Sequence, residues 1–231
     1  MRRYNMQTRN FVIAMLLTLM ACGGSQELEQ NDKTSSLSRV ENLPYYQEAT
    51  FTPQWFEPGS DSLESFHRIP SFSLINQAGD TITEKSLDDK IYVADFFFTT
   101  CPGICPKMTS NMTLIQEAFL EDEEVMLLSH SVTPELDDVE QLRIYGEAKG
   151  IQADKWHLLT GNRKTIYDLG RKSYFVEEDL GLKKSDGEFL HTENFVLIDK
   201  NRHIRGIYNG LNKAAVNQLI ADIKTLKQEM L

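Results

Sequence analysis

Cysteine is scarce in this chain, three in 231 residues, which leaves room for one disulfide at most. Lys and Arg never gather into a basic block, and they are outnumbered by Asp and Glu, 24 to 34. Binding to a phosphate backbone needs clustered cations, so nucleic acid is excluded as an expected partner. No apolar run reaches the 18 or so residues of a membrane-spanning helix, and no internal repeat is evident. At 41% hydrophobic and 25% charged, the remainder is ordinary globular material, long enough for one domain with appendages.

The longest apolar stretch, FVIAMLLTLMA at 11–21, follows Arg2, Arg3 and Arg9. A cationic start and a short apolar stretch read as an export signal. The stretch ends Leu19-Met20-Ala21-Cys22 and is followed by Gly23-Gly24-Ser25. This resembles a bacterial lipobox, with Cys22 becoming the lipid-bearing first residue once 1–21 are removed. Cleavage takes away three arginines and no acidic residue, changing the formal charge from −10 to −13. The chain is therefore expected to be exported and lipid-anchored, with its domain on the periplasmic side.

Residues 22–66 are expected to be an appendage. Up to about residue 40 they are polar and spacer-like. From Leu43 onward Tyr45, Tyr46, Phe51, Trp55 and Phe56 alternate with Pro44, Pro53 and Pro58. This part reads as an extended segment packed over the domain surface. The domain itself is expected over 67–231.

Within it, FSLINQAGDTIT reads as two strands around the turn 77–80. IYVADFFF (91–98) and VMLLSHS (125–131) are strands buried on both faces. Helices are expected over 106–120, from Leu136 to Gly150, briefly after Asn162, and from Asn212 to the end. KWHLLTG supplies a further strand and FVLIDKNRHIRGIY a hairpin. The result is an α/β fold with a mixed central sheet flanked by helices, in the βαβα…ββα order of the thioredoxin fold.

In open α/β sheets chemistry gathers at the carboxyl ends of strands. Cys101 and Cys105 lie there, just past strand 91–98 and at the mouth of the next helix. A helix N-terminus favours thiolate, so both sulfurs are expected to ionise more readily than a free thiol. The i, i+4 spacing lets them face one way, and Pro102 and Pro106 stiffen the loop. A disulfide across so short a loop gains little from loop closure, which points to chemistry rather than stapling. Three intervening residues also differ from the two of thioredoxin-type catalysts. Paired thiolates are soft donors and suit Cu(I), though two sulfurs are few.

The third donor has to come from elsewhere. Among the histidines, His191 stands out because it directly precedes the strand expected beside the cysteine strand. A thioredoxin fold carries a cis-proline at that place; this chain has no proline there. His130, at the end of strand 125–131, is also on the functional edge and is a candidate for the surroundings of a metal. His67 stands at the domain entry, His157 reads as edge packing, and His203 in its hairpin turn reads as solvated. Met108 and Met112, at helical spacing behind the cysteines, read as core.

Taken together, FFFTTCPGICPKM, SVTPE, WHLLTG and the late histidine closely resemble the SCO/SenC family of copper proteins, from about Ile69 to the C-terminus. The resemblance implies a thioredoxin-like fold and one copper held by Cys101, Cys105 and His191. It also implies a role in assembling the dinuclear copper centre of cytochrome c oxidase. Partners would then be the oxidase's copper-bearing subunit or another copper chaperone, with the protein itself a monomer. Gly103, Thr133 and Leu190 stand where many members carry acidic residues, a difference that bears on copper affinity and potential.

The alternative is a membrane-anchored thiol–disulfide oxidoreductase that keeps the oxidase's copper-site cysteines reduced through Cys101 and Cys105. A third reading is a sensor or scaffold whose metal orders the 178–190 loop. Zinc ranks below copper, because structural zinc takes four protein ligands.

Overall fold

The seven residues of Ile91–Phe97 are all buried, and the sheet is built outward from them. A computed structural model describes residues 38–57, 59–177 and 189–230. The expected export signal, Cys22, most of the expected spacer and most of the 178–190 loop lie outside the described residues. The strands are β1 (Ser73–Asn76), β2 (Thr81–Thr83), β3 (Ile91–Phe97), β4 (Val125–Ser131), β5 (Trp156–Thr160), β6 (Asn194–Ile198) and β7 (Ile204–Asn209). They form one seven-stranded sheet in the order β2-β1-β5-β4-β3-β6-β7. β3 runs parallel to β4 and antiparallel to β6, so the sheet is mixed and the fold thioredoxin-like.

Alternation along β3 decides which side chain meets which layer. Tyr92, Ala94 and Phe96 join a core with β1, β2, Ile166 and Tyr174. Ile91, Val93 and Phe97 face the other way, against Met108, Met112 and Ile115 and against Val216, Leu219 and Ile223. Those residues belong to α1 (Cys105–Ala118) and α4 (Lys213–Glu229). Met108 and Met112 are fully buried core, as their spacing indicates.

Helix ends follow local chemistry. Asn212 caps α4 and Asn162 caps α3 (Arg163–Asp168), each accepting backbone N–H groups. Gly150 closes α2 (Val139–Lys149) in the left-handed conformation, φ 69°. α2 starts three residues later than Leu136 suggests. Asp138 caps it, and Leu136, expected on its buried stripe, is 66% exposed in the preceding turn. α3 runs straight into a π-helical turn, Leu169–Ser173, which the sequence pattern does not reveal.

The segment from Leu43 crosses to the far edge of the sheet. Tyr46 bridges to Ile204, and Tyr45, Phe56, Leu63 and Phe66 form a small cluster of their own. Arg205, 2% exposed, organises the attachment. It donates to the carbonyls of Leu43 (2.7 Å) and Pro44 (3.2 Å), pairs with Asp199 and Glu229, and lies 3.9 Å over the Tyr45 ring. Trp55 remains largely exposed. His203, expected in solvent, is 1% exposed: Nδ1 meets the His67 carbonyl at 2.8 Å, and Tyr45 and Phe66 stand edge-on to its ring. The covering segment, distant in sequence, accounts for the burial.

Candidate metal centre

β3 delivers the chain to Phe98, and the loop 99–104 turns it into α1. α1 has no side-chain cap; Ile104 occupies the cap position and Pro106 stands in the first turn. Its leading N–H groups therefore need another acceptor. The sulfur of Cys101 lies among them, and the backbone N–H groups of Gly103, Ile104 and Cys105, with the Cys105 thiol, favour its thiolate.

The two thiols differ in consequence. Cys101 is half-buried; its partial burial raises its pKa, but the thiol and backbone donors outweigh that and bring it below the ordinary thiol value. Cys105 is buried, and its pKa is pushed up to about 12, first by burial, then by the bond to Cys101 and the charges of Cys101 and Asp95. The expectation that both thiols ionise easily therefore holds for Cys101 and fails for Cys105, where desolvation exceeds the helix-terminus effect. Both cysteines are free thiols.

Behind the loop stands a buried carboxylate the sequence analysis did not single out. Asp137, fully buried, accepts from the Thr99 hydroxyl (2.5 Å) and backbone N–H (3.3 Å), the Ser131 hydroxyl (2.5 Å) and the Thr133 hydroxyl (3.0 Å). One side chain thus ties the approach to Cys101 to the SVTPE segment and to the start of α2. Asp95 is a second buried carboxylate, with its pKa raised to about 7 by burial and drawn back by the Ser129 hydroxyl that donates to it. Ser129 also accepts from the Trp156 indole at 2.8 Å. The signal for Asp95 was present as the lone charge in an otherwise apolar strand.

His130 belongs to the opposite face of the sheet. It is fully buried, stacked on its cross-strand partner Phe96 at 4.9 Å and flanked by Phe72 and Tyr174. Its Nδ1 lies 3.3 Å from the Asp95 carbonyl, and its Nε2 has no partner. Burial lowers its pKa to about 4. His157 on β5 meets Asn76, and His67 meets the Ser173 carbonyl at 2.8 Å.

His191 is exposed, in the lead-in to β6. The β3–β6 register pairs Tyr92 with Ile198 and Ala94 with Val196. The chain leading into β6 therefore runs beside the carboxyl end of β3, where Phe98 opens the cysteine loop. Phe189 packs edge-on against Phe98 at 5.2 Å, which holds this lead-in against the cysteine strand. The structure thus gathers Cys101 with Cys105 and leaves His191 outside that pair. Among the described residues, no three His, Cys, Asp or Glu side chains stand close enough to hold one metal ion. The donor pair itself, two sulfurs at an open sheet edge, has the chemistry that soft copper favours.

Comparison with known proteins agrees with this layout. A SCO1 protein homolog of Bacillus subtilis is 31% identical over 163 residues, covering 69% of this chain and 82% of its own length. The structure of BsSco, a member of the Sco family of cytochrome c oxidase assembly proteins in which a disulfide switch was identified, superposes with a TM-score of 0.60 at 30% identity, covering 70% of this chain and 94% of that one. Bradyrhizobium japonicum ScoI, solved with copper bound, gives 0.54 at 25% identity, over 68% and 98% of the two chains. The SCO1/SenC family pattern matches residues 60–228, and the chain belongs to that family.

Proposed function

We propose that this protein is an exported, lipid-anchored copper metallochaperone serving the dinuclear copper centre of cytochrome c oxidase. The observation that carries the reading is the pair of free thiols, Cys101 and Cys105, at the carboxyl edge of β3, with the His191 segment packed beside them through Phe189 on Phe98. Copper is the cargo. The two sulfurs hold Cu(I), and His191 adds a borderline donor that also accommodates Cu(II). A three-donor site leaves one side open, so an acceptor ligand can enter before a donor leaves. Relatives solved with copper bound support the metal.

The test is Cu(I) titration of the reduced protein beside His191→Ala. One equivalent bound tightly, and bound at least about tenfold more weakly by the variant, supports the ligand set. Equal binding by parent and variant, or none by the parent, rejects it. The anchor has its own test: lipid labelling in the producing cell, lost in Cys22→Ser.

One observation favours a second role. An accessible thiol of lowered pKa beside a buried one of raised pKa is the division of labour of a thiol–disulfide reductase, Cys101 attacking and Cys105 resolving. Reduction of a disulfide-linked oxidase peptide by the parent, abolished in Cys101→Ser and unaffected in His191→Ala, would establish that chemistry.

A further inference from the structure

The segment carrying His191 is held by three contacts, none of which uses the imidazole. Glu177, nearly buried, accepts from the backbone N–H of His191 at 3.4 Å and is held by Arg171 at 2.6 Å. Leu190, 1% exposed, lies over Gly170 in the π-helical turn. A Cβ built at Gly170 would meet Leu190 Cδ1 at 2.5 Å and Phe96 at 3.1 Å, so only glycine leaves that notch open. Phe189, though 42% exposed, rests its ring on Phe98.

These contacts join three parts of the chain. The π-helical turn follows α3, Glu177 precedes residues 178–188, and Phe98 follows β3 immediately before the cysteine loop. The side chain left outside this set of contacts is the imidazole between Leu190 and Thr192, which is exposed. A peptide fixed at its own N–H and at the two residues before it, with its one metal-binding side chain exposed, is a presentation device. Fixing the backbone removes conformations that a free segment would lose only on binding.

We propose that Glu177, Gly170 and Phe98, acting through the His191 backbone and the side chains of Leu190 and Phe189, form a seat that presents His191 to metal bound at the cysteine pair. They are positioning residues, and the inference rests on the copper reading above. Their effect on copper passes through His191 alone. A Glu177 or Phe189 truncation costs affinity only where the imidazole is present to be misplaced.

The experiment uses the full chain, reduced, in mild detergent, as parent, Glu177→Ala, Phe189→Ala and each combined with His191→Ala. Phe189→Ala removes an exposed ring and preserves the fold should Glu177→Ala lose it. Three quantities are measured: amide hydrogen exchange at residue 191 without metal, Cu(I) affinity by competition, and the nitrogen hyperfine signature of the Cu(II) form. The expected result is faster exchange at His191 in both single variants. Copper affinity should fall about three- to tenfold in them, and change by less than about twofold when His191 is already alanine. The nitrogen hyperfine signature of the Cu(II) form should weaken in the single variants as well. Equal losses in both backgrounds, or unchanged exchange at His191, overturn the seat while the copper reading stands. Unchanged affinity in His191→Ala overturns the copper reading and this inference with it.

Discussion

Cys101 is half-exposed and its neighbour Cys105 is buried, and that difference in burial, with the influence of each thiol on the other, sets the two cysteines apart. The Cys105 thiol and the backbone N–H groups of the loop favour thiolate at the accessible sulfur, while burial before all else retains the proton on the buried one. Copper loading by both sulfurs must therefore expel the proton of Cys105, which couples binding to pH.

Alkylation shows the asymmetry directly. With iodoacetamide near neutral pH, Cys101 should be modified at least about tenfold faster than Cys105, with its rate profile shifted below that of a free thiol. In Cys101→Ser, Cys105 should remain slow, because burial is the first cause of its raised pKa. Mass spectrometry of the labelled peptides reads both; comparable rates at the two sites would contradict the assignment.

His130 should make stability fall in acid. Its pKa is lowered on folding to about 4, so the folded state prefers the neutral ring. The contribution is complete above the unfolded value of about 6.5 and is lost as pH falls from there towards 4, by up to about 3 kcal/mol. Urea denaturation of His130→Leu between pH 7 and pH 4 should show this portion of the acid dependence missing. An unchanged slope would mean that carboxylates account for all of it.

Asp137→Ala should be among the most damaging single changes. It strands the hydroxyls of Thr99, Ser131 and Thr133, together with the Thr99 N–H, in a buried site. Loss of several such bonds costs about 3 kcal/mol or more, which for a domain of this size lowers Tm by about 10 °C. Asp137→Asn, which keeps an acceptor, should lose less. Calorimetry of the two variants tests the ranking.

Arg205→Ala should release the N-terminal segment. The change leaves Asp199 buried without its cation and frees the carbonyls of Leu43 and Pro44, at about 3–5 kcal/mol. Limited proteolysis should then cut within residues 43–57 well before the domain is degraded. Protection equal to the parent's would show that the aromatic cluster around Tyr45 suffices.

Much of this could be read along the chain. Buried strands announce themselves as apolar runs, so β3 and β4 match their expected spans almost residue for residue. Asn162, Asn212 and Gly150 act where they stand, since capping is a contact within one turn. The cysteine pair was legible for the same reason: spacing, flanking prolines and the following helix are all local.

What local sequence determined, then, was the elements, their caps and the place of the two thiols, because those depend on neighbours a few residues away. The tertiary structure alone decided the difference between the thiols, which comes from burial and from Asp95 on another element. It likewise decided the gathering of four donors on Asp137, the burial of His203 under residues more than a hundred positions earlier, and the seat that holds His191. Desolvation and long-range pairing act through space, and chain order carries almost no record of them.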